Sequence, residues 1–169
     1  MNAQLIDGNG KALASRANVG AGGYKGSRVD ADASNRFIVV WAAYDDNGAY
    51  DVLALQYDDA SMPLGSAFAV SKHGGSSGHG LTNAGRYGAD VCMSDYGDFT
   101  VVWAEGGSSV TGSSDGSSTG VFARNFTRNA VASGNEILVN TFTTSGQSAQ
   151  SRDARHAFSD GASTVSCLQ

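Results

Sequence analysis

Three oxygen-bearing side chains lie close together in one short segment of the chain. The segment DDNGAYD places Asp45, Asn47 and Asp51 at its first, third and seventh positions, and Gly48 allows a sharp bend. Calcium prefers hard oxygen ligands of this kind. The twelfth-position glutamate and the flanking helices of an EF-hand are missing, and Asp-Asn-Gly is also a strong hairpin-turn signal. Two interpretations follow: a calcium site at Asp45, Asn47 and Asp51, or a plain turn.

Other chemically suggestive segments do not form a complete catalytic signature. Residues 74–78 read GGSSG, which fits the letters of the serine nucleophile elbow. A Ser/Gly loop follows, however, where the elbow requires a helix. His73 and His79 flank this segment without an apparent third metal ligand. No paired carboxylates with flanking aromatic residues indicate glycoside hydrolysis. We therefore predict that the chain is not an enzyme, and we assign no catalytic residue.

Composition and charge exclude several classes of protein. The chain has 169 residues, which suits a single domain with a core of its own. Its net charge is −5 and no basic stripe is present, so we expect no nucleic-acid partner. No apolar run is long enough to insert into a membrane. Met1 leads directly into a polar strand pattern, which is not that of a signal peptide.

The two cysteines lie in apolar strand patterns. Cys92 follows Ala-Asp-Val, and Cys167 follows Thr-Val-Ser. Buried free thiols are the favoured interpretation, and a disulfide is the alternative.

The strand-like segments between the loops recur along the chain. The string FIVVW at 37–41 returns as FTVVW at 99–103, and ALQYD at 54–58 returns as ARNFT at 123–127. Each copy carries four segments that alternate apolar and polar residues, separated by turn-forming residues. Shorter copies lie at both ends of the chain. We predict one repeat domain made of a half-unit at 1–22, whole units at 23–74 and 75–141, and a half-unit at 142–169.

A single four-stranded sheet of this length cannot bury its own faces, so the copies must stack on one another. We predict an all-β fold of about twelve antiparallel strands in three four-stranded units, arranged like β-propeller blades. Three units are fewer than the four to eight blades of an ordinary propeller. An excised piece, a ring of two copies, and a β-trefoil or β-prism therefore stay open. We predict that the following residues are buried alike: Phe37, Val39, Trp41, Phe99, Val101 and Trp103.

One arginine precedes the first strand of each unit. These residues are Arg28, Arg86 and Arg152. Their recurrence favours a structural role, in which each ties a turn to an aspartate of the neighbouring unit. A ring of ligand-facing arginines is the alternative.

The repeat resembles a known family of sequences. F-x-V-V-W, an acidic Gly-rich loop, A-x-x-[FY]-D and P-L-G-S-x-F-x-V together resemble the tandem repeats of large secreted bacterial proteins, often found beside RTX-type calcium-binding arrays. The resemblance covers nearly the whole chain. It departs at Cys167, where tryptophan is expected, and in the Ser/Gly insertion 106–118. It implies propeller-like sheets and an extracellular location.

The functional prediction rests on the loops, because binding residues concentrate on loops that a rigid scaffold holds. We predict an extracellular binding or adhesion module that recognises glycan or another surface ligand. A self-assembling structural subunit and a glycan-active propeller enzyme are the alternatives. We also predict that the two half-units pair, within the chain or across a dimer, because open sheet edges invite pairing. The loops are 20–26, 45–50, 72–87, 106–118 and 142–150.

Overall fold

Over the part of the chain that the structure describes, every regular element is a β-strand. The computed structural model describes residues 2–4, 6, 9–12, 16–18, 25–44, 50–71, 89–106, 119–139, 158–159 and 164–165. The strands are β1 (Asn2–Ala3), β2 (Ala17–Asn18), β3 (Lys25–Ala31), β4 (Phe37–Tyr44), β5 (Tyr50–Tyr57), β6 (Phe68–Ala69), β7 (Asp90–Met93), β8 (Phe99–Gly106), β9 (Thr119–Phe126), β10 (Ile137–Leu138), β11 (Phe158–Ser159) and β12 (Thr164–Val165).

These strands form antiparallel sheets in which each strand pairs with its neighbour in sequence. The first sheet has the order β3-β4-β5-β6 and the second has the order β7-β8-β9-β10. The pairs β1-β2 and β11-β12 form two-stranded ladders at the two ends of the chain. The prediction of an all-β, antiparallel fold is confirmed. The arrangement of three units as propeller blades stays a prediction.

The two four-stranded sheets share one register. In the first sheet β4 and β5 pair from Phe37 opposite Tyr57, and in the second β8 and β9 pair from Phe99 opposite Phe126. Both cross-strand pairs stack their rings, with centroids 4.8 and 5.0 Å apart. Directly opposed aromatic residues stabilise an antiparallel pair. The repeat in sequence is thus a repeat in hydrogen bonding and in packing.

The strands β1 and β2 have the geometry of the third and fourth strands of a unit. In all three copies an isolated bridge follows the third strand, and a residue between the two bridge partners is left-handed. The bridges are Ile6↔Ala12, Tyr57↔Pro63 and Phe126↔Ala132, and the left-handed residues are Gly10 (φ 81°), Ser61 (φ 63°) and Ala130 (φ 58°).

Side-chain alternation gives each four-stranded sheet two apolar faces. We call the side that carries Phe37 and Trp41, or Phe99 and Trp103, the N-face, and the opposite side the C-face. The C-face of the first sheet packs on the N-face of the second, which forms the largest core cluster. All six residues predicted to be buried alike are at most 3 % exposed, so this prediction is confirmed.

The remaining two faces are smaller clusters. The N-face of the first sheet packs on Ala3 of β1 through Phe37, Val39 and Trp41. The C-face of the second sheet carries Val102 and other small apolar residues. The N-face of each sheet thus packs on the preceding copy of the repeat, as expected for a stack of repeats.

Cys92 corrects one expectation from the sequence. It lies on β7, on the C-face side, and it is disulfide-bonded. The sequence contains one other cysteine, Cys167, which lies outside the described residues. The favoured interpretation of a free thiol at Cys92 was wrong. An apolar strand pattern indicates burial, but it does not reveal whether a second sulfur lies within bonding distance.

Candidate functional site

The two ends of the strands differ in how the chain turns. Tight turns join β3 to β4, β5 to β6, β7 to β8 and β9 to β10, and because the strands are antiparallel all four lie at one edge of the stack. We call this the turn edge. The opposite edge, the loop edge, is where β4 and β8 end and where β5 and β9 begin.

At the turn edge, one turn geometry serves both sheets. In the first sheet the N–H of Asp32 donates to the carbonyl of Arg36, and that of Asn35 donates to the carbonyl of Asp32. In the second sheet Ser94 and Gly97 make the equivalent bonds. Asn35 and Gly97 are both left-handed, with φ of 61° and 93°. A turn followed by one left-handed residue is a common hairpin connection, and Asn and Gly tolerate it best.

A buried ion pair stabilises the turn of the first sheet. Asp32 accepts hydrogen bonds from the N–H groups of Ser34 and Arg36, at 2.9 and 3.0 Å. Its second carboxylate oxygen accepts from the Arg36 guanidinium, at 2.8 Å from Nε and 2.7 Å from Nη2. The carboxylate side chain is 1 % exposed and the guanidinium 20 %. A buried carboxylate with every oxygen occupied is a structural group, because no position is left for a substrate or metal.

The turn of the second sheet packs directly on this ion pair. A Cβ on Gly97 would overlap Nη2 of Arg36, and the φ of 93° would strain any other residue, so glycine is favoured there. Asp98 accepts a hydrogen bond from the backbone N–H of Arg128 at 2.8 Å, and Gln56 donates to the carbonyl of Arg128 at 3.3 Å. The turn edge therefore ties both sheets together, and its polar groups are engaged in that role.

The loop edge gathers the segments whose lengths differ between the units. The connection from β4 to β5 is 45–49, and the corresponding connection from β8 to β9 is the longer 107–118. The link that follows β6 also leaves from this edge, because β6 runs back from the turn edge. Insertions thus accumulate at one edge, while the other edge keeps constant geometry.

The predicted calcium ligands lie mostly outside the described residues. Asp45 and Asn47 are among the residues not described, whereas Asp51 lies on β5 opposite Ala43 and is partly buried. Among the residues that the structure describes, no three His, Cys, Asp or Glu side chains form a metal-binding group. Because two of the three proposed ligands lie outside the described residues, calcium binding stays a prediction. His73, His79 and the segment 74–78 also lie outside the described residues.

An open groove lies on the N-face of the first sheet, between β1 and β3. Its volume is about 390 Å³. We call it the N-terminal groove. It is lined by Asn2, Ala3, Gln4, Ile6, Ser27, Arg28, Val29, Asp30, Ala31, Phe37 and Val39. Its apolar wall includes two exposed residues, Ile6 at 61 % and Val29 at 53 %.

The recurring arginine has a structural partner at its one described position. Nε of Arg28 lies 3.9 Å from the Asp90 carboxylate of the second sheet, and the arginine side chain is 48 % exposed. Arg28 lies within β3, so the prediction that it precedes the first strand and ties a turn was wrong, whereas its partner is an aspartate of the neighbouring unit, as predicted. Such a half-exposed pair contributes little stability, because water screens it. Arg86 and Arg152 lie outside the described residues.

The N-face cluster also contains the described ionisable group with a clear shift. Burial raises the pKa of the Tyr57 hydroxyl above its ordinary value of 10.0, because desolvation disfavours the phenolate. The ring stacks on Phe37. This group is a packing residue, because its ring is buried and its ionisation would destabilise the fold.

Sequence reasoning missed both the N-terminal groove and the Asp32–Arg36 pair. The pair had a local signal, an aspartate four residues before an arginine with Asn between them at a turn. The groove had none, because it depends on which part of a neighbouring copy covers β3.

Comparison with protein-family models, curated proteins and solved structures finds no match to the chain. Among the described residues, no helix has the length and apolar character needed to cross a membrane. Function must therefore be inferred from the described architecture and from the sequence of the loops.

Proposed function

We propose that the chain is a non-catalytic extracellular module that binds glycan or another surface ligand through its loop edge. This proposal rests on a structural difference between the two edges. The turn edge repeats one hydrogen-bonding pattern in both sheets, whereas the loop edge carries the segments 45–49, 72–88 and 107–118. A rigid scaffold with variable loops at one side is the usual arrangement of a binding surface.

The composition of these loops suits a polar ligand. They are rich in Gly, Ser, Asn and Asp, which supply hydroxyl, amide and carboxylate groups without large apolar surfaces. Calcium at Asp45, Asn47 and Asp51 would order the shortest of the three. Hydrogen-bonding loops of this kind match the hydroxyl-rich surface of a glycan better than an apolar ligand.

The proposal of a non-catalytic role is supported by the sequence and by how the described polar groups are used. Asp32, Arg36 and Asp98 hold turns together, and Arg28 and Asp30 join the two sheets. Catalysis would require a nucleophile or an acid–base pair with free access to substrate. The recurring residues instead support strands and turns.

A glycan array probed with the full chain, with calcium and after chelation, tests the proposal. We expect binding to one class of glycan that is weakened by Asp45→Ala with Asn47→Ala. Replacing Val110, Thr111 and Asp115, the three residues of 107–118 that are not Gly or Ser, by Ser should also weaken it. The hairpin should stay closed in this variant, because Gly106 pairs with Thr119 at its end. Asp59→Ala, at an exposed position of the turn edge, is the matched control and should bind normally.

Thermal melts complete the test. A rise in Tm on adding calcium that disappears in the Asp45→Ala, Asn47→Ala variant supports an ordered metal loop. Absence of any bound ligand on the array, under both conditions, would overturn the binding role. Equal loss of binding in Asp59→Ala would move the site to the turn edge and would contradict the proposed location.

A further inference from the structure

We propose that the N-terminal groove is the docking site for the C-terminal half-unit of a second copy of this chain. In this assembly, β11 and β12 of one copy align beside β1 and β2 of the next and complete a four-stranded sheet. The completed sheet then covers the N-face of the first sheet. The surface is separate from the loop edge, so this inference does not depend on the proposed ligand binding.

The first reason is a difference in burial between equivalent residues. Val29 pairs with Val39 in the first sheet, and Val91 pairs with Val101 at the same register position in the second. Val91 is 2 % exposed, whereas Val29 is 53 % exposed. The same comparison holds one step along the strand, where Met93 is buried and Ala31 is exposed. The N-face of the first sheet is therefore covered on one side only.

The second reason is the identity of what buries Val91. In the interface between the two sheets, β7 lies against β3 and β4, which are the first and second strands of the preceding unit. Asp30 of β3 accepts a hydrogen bond from the N–H of Met93 at 2.7 Å. Within the described part of the chain no first or second strand covers Val29, because β1 and β2 correspond to a third and a fourth strand. The groove is thus the space that a first and a second strand would fill.

The third reason is that the C-terminal half-unit supplies those two strands. The string TVSC at 164–167 corresponds to TVVW at 100–103, which belongs to the second strand of a unit. The strands β11 and β12 pair antiparallel, with Phe158 opposite Val165, as Val91 is opposite Val101 in the second sheet. Two strands from this end and two from the N-terminal end make one complete four-stranded unit. Both strand pairs have unpaired edges in the described structure, and such edges favour pairing with another strand.

Packing between the sheets favours a second copy over closure within one chain. In a closed ring of three units, each sheet would be rotated by a third of a turn relative to the sheet before it. The two sheets instead stay in contact across their width. Asp30 reaches Met93 at the side of the first strands, and at the other side Phe68 lies 5.6 Å from Phe126, with Arg124 donating to the carbonyl of Val70 at 2.7 Å. Contacts at both sides of the interface disfavour the divergence that a closed ring of three units requires.

The resulting contact is head to tail, because the groove of one copy receives a different surface of the next. Contacts of this type form a closed ring if the rotation allows it, and an open filament otherwise. Either product continues the polarity already present inside the chain, where the C-face of the first sheet packs on the N-face of the second.

Sedimentation equilibrium of the full chain, with its disulfide intact, tests the proposal over a wide concentration range. We expect concentration-dependent association. Val29→Asp should weaken it by about 30-fold or more, as for a central interface residue, and Ala31→Asp should act in the same direction. Val131→Asp, at a 62 % exposed valine of the turn edge, is the matched control and should associate normally. Because Val29 is half exposed, the variants should keep the circular dichroism spectrum and Tm of the dilute parent chain.

Hydrogen exchange identifies the occupant of the groove. On association, amide protection should rise together in 2–4, in 27–31 and in the strands β11 and β12. A rise in 2–4 and 27–31 alone would indicate groove against groove and would overturn the head-to-tail arrangement. A chain that stays monomeric at all concentrations, or that associates equally well with Val29→Asp, would overturn docking of a second copy.

Discussion

The two four-stranded sheets have the same register and the same turns, yet their N-faces lie in different surroundings. The N-face of the second sheet packs on a complete sheet, and that of the first packs on the short strand β1. The difference is seen in the exposed fraction of two equivalent valines, which is 2 % for Val91 and 53 % for Val29. The comparison teaches that the repeat sequence determines strands and register, whereas the neighbouring copy determines how much of each face is buried.

The turns of the two sheets also have the same backbone conformation, but different side-chain interactions stabilise them. The first sheet places Asp32 and Arg36 at the start and end of the turn, and the second places Ser94 and Asp98 there. Asp32 has four polar contacts, whereas Ser94 Oγ is buried with no hydrogen-bond partner among the described residues. The same turn is thus stabilised by a charge network in one unit and by glycine in the other.

The largest expected effect comes from Trp103→Ala. Trp103 is 1 % exposed and lies between two complete sheets, 6.1 Å from the ring of Phe122. Its removal should lower the free energy of unfolding by roughly 3–5 kcal/mol, because a cavity between two sheets collapses little. Denaturant unfolding of the disulfide-intact chain at low concentration, followed by the fluorescence of the remaining Trp41, measures this loss.

Trp41→Ala is the matched variant in the first sheet, and Trp103 then serves as the fluorescent reporter. Trp41 is equally buried, but only β1 covers that side of the sheet. We expect a smaller loss, since a short strand can move inward to fill part of the cavity. A loss as large as that of Trp103→Ala would show that the N-face of the first sheet is packed as firmly as that of the second.

Asp32→Ala should have the next largest effect. The substitution leaves the Arg36 guanidinium, which is 20 % exposed, without its carboxylate partner. Breaking one side of a buried pair costs about 3 kcal/mol, and the partial exposure of Arg36 places the expected loss at this lower figure. Urea unfolding at neutral pH provides the measurement.

Ser94→Ala, at the equivalent position of the second sheet, is the control for the turn. Because the Ser94 hydroxyl has no described partner, its removal should change the free energy of unfolding by less than about 0.5 kcal/mol. Similar losses in Asp32→Ala and Ser94→Ala would mean that turn geometry alone, and not the ion pair, stabilises this edge.

The smallest effect at neutral pH is expected for Tyr57→Phe, which gives the first sheet the residue type that Phe126 has in the second. Burial raises the folded-state pKa of Tyr57 above 10.0. The unfolded chain therefore loses this proton first, so the stability linked to the neutral hydroxyl is fully present below pH 10 and is lost as the pH rises through the folded-state pKa. Thermal melts from pH 7 to 11.5 should show a shallower alkaline decline in the variant. Tyr96→Phe, at an 82 % exposed tyrosine, controls for loss of a hydroxyl, and identical declines in Tyr57→Phe and the parent chain would contradict the assignment.

Strands and core were predictable because their signal is local and periodic. The recurring strings FIVVW and FTVVW identified the core strands, although the structure buries both of their faces, with Ile38 and Val40 as buried as Phe37 and Val39. The matching of ALQYD with ARNFT placed the third strands. Both signals survive in the structure because each residue's direction is set by its parity along the strand. The calcium segment had a local signal of its own, but Asp45 and Asn47 lie outside the described residues, so it stays a prediction.

By itself the sequence determined an all-β chain, the strands that form its core and the turns that join them, since these depend on neighbours a few residues away. Tertiary structure decided the rest. It packed the Asp32–Arg36 pair against Gly97 and joined Cys92 to a second sulfur. It also left the side chain of Val29 exposed while that of Val91 is buried. Each of these features depends on which distant segment occupies the adjacent space, and the periodicity of a strand is the same whether or not a neighbouring sheet lies against it.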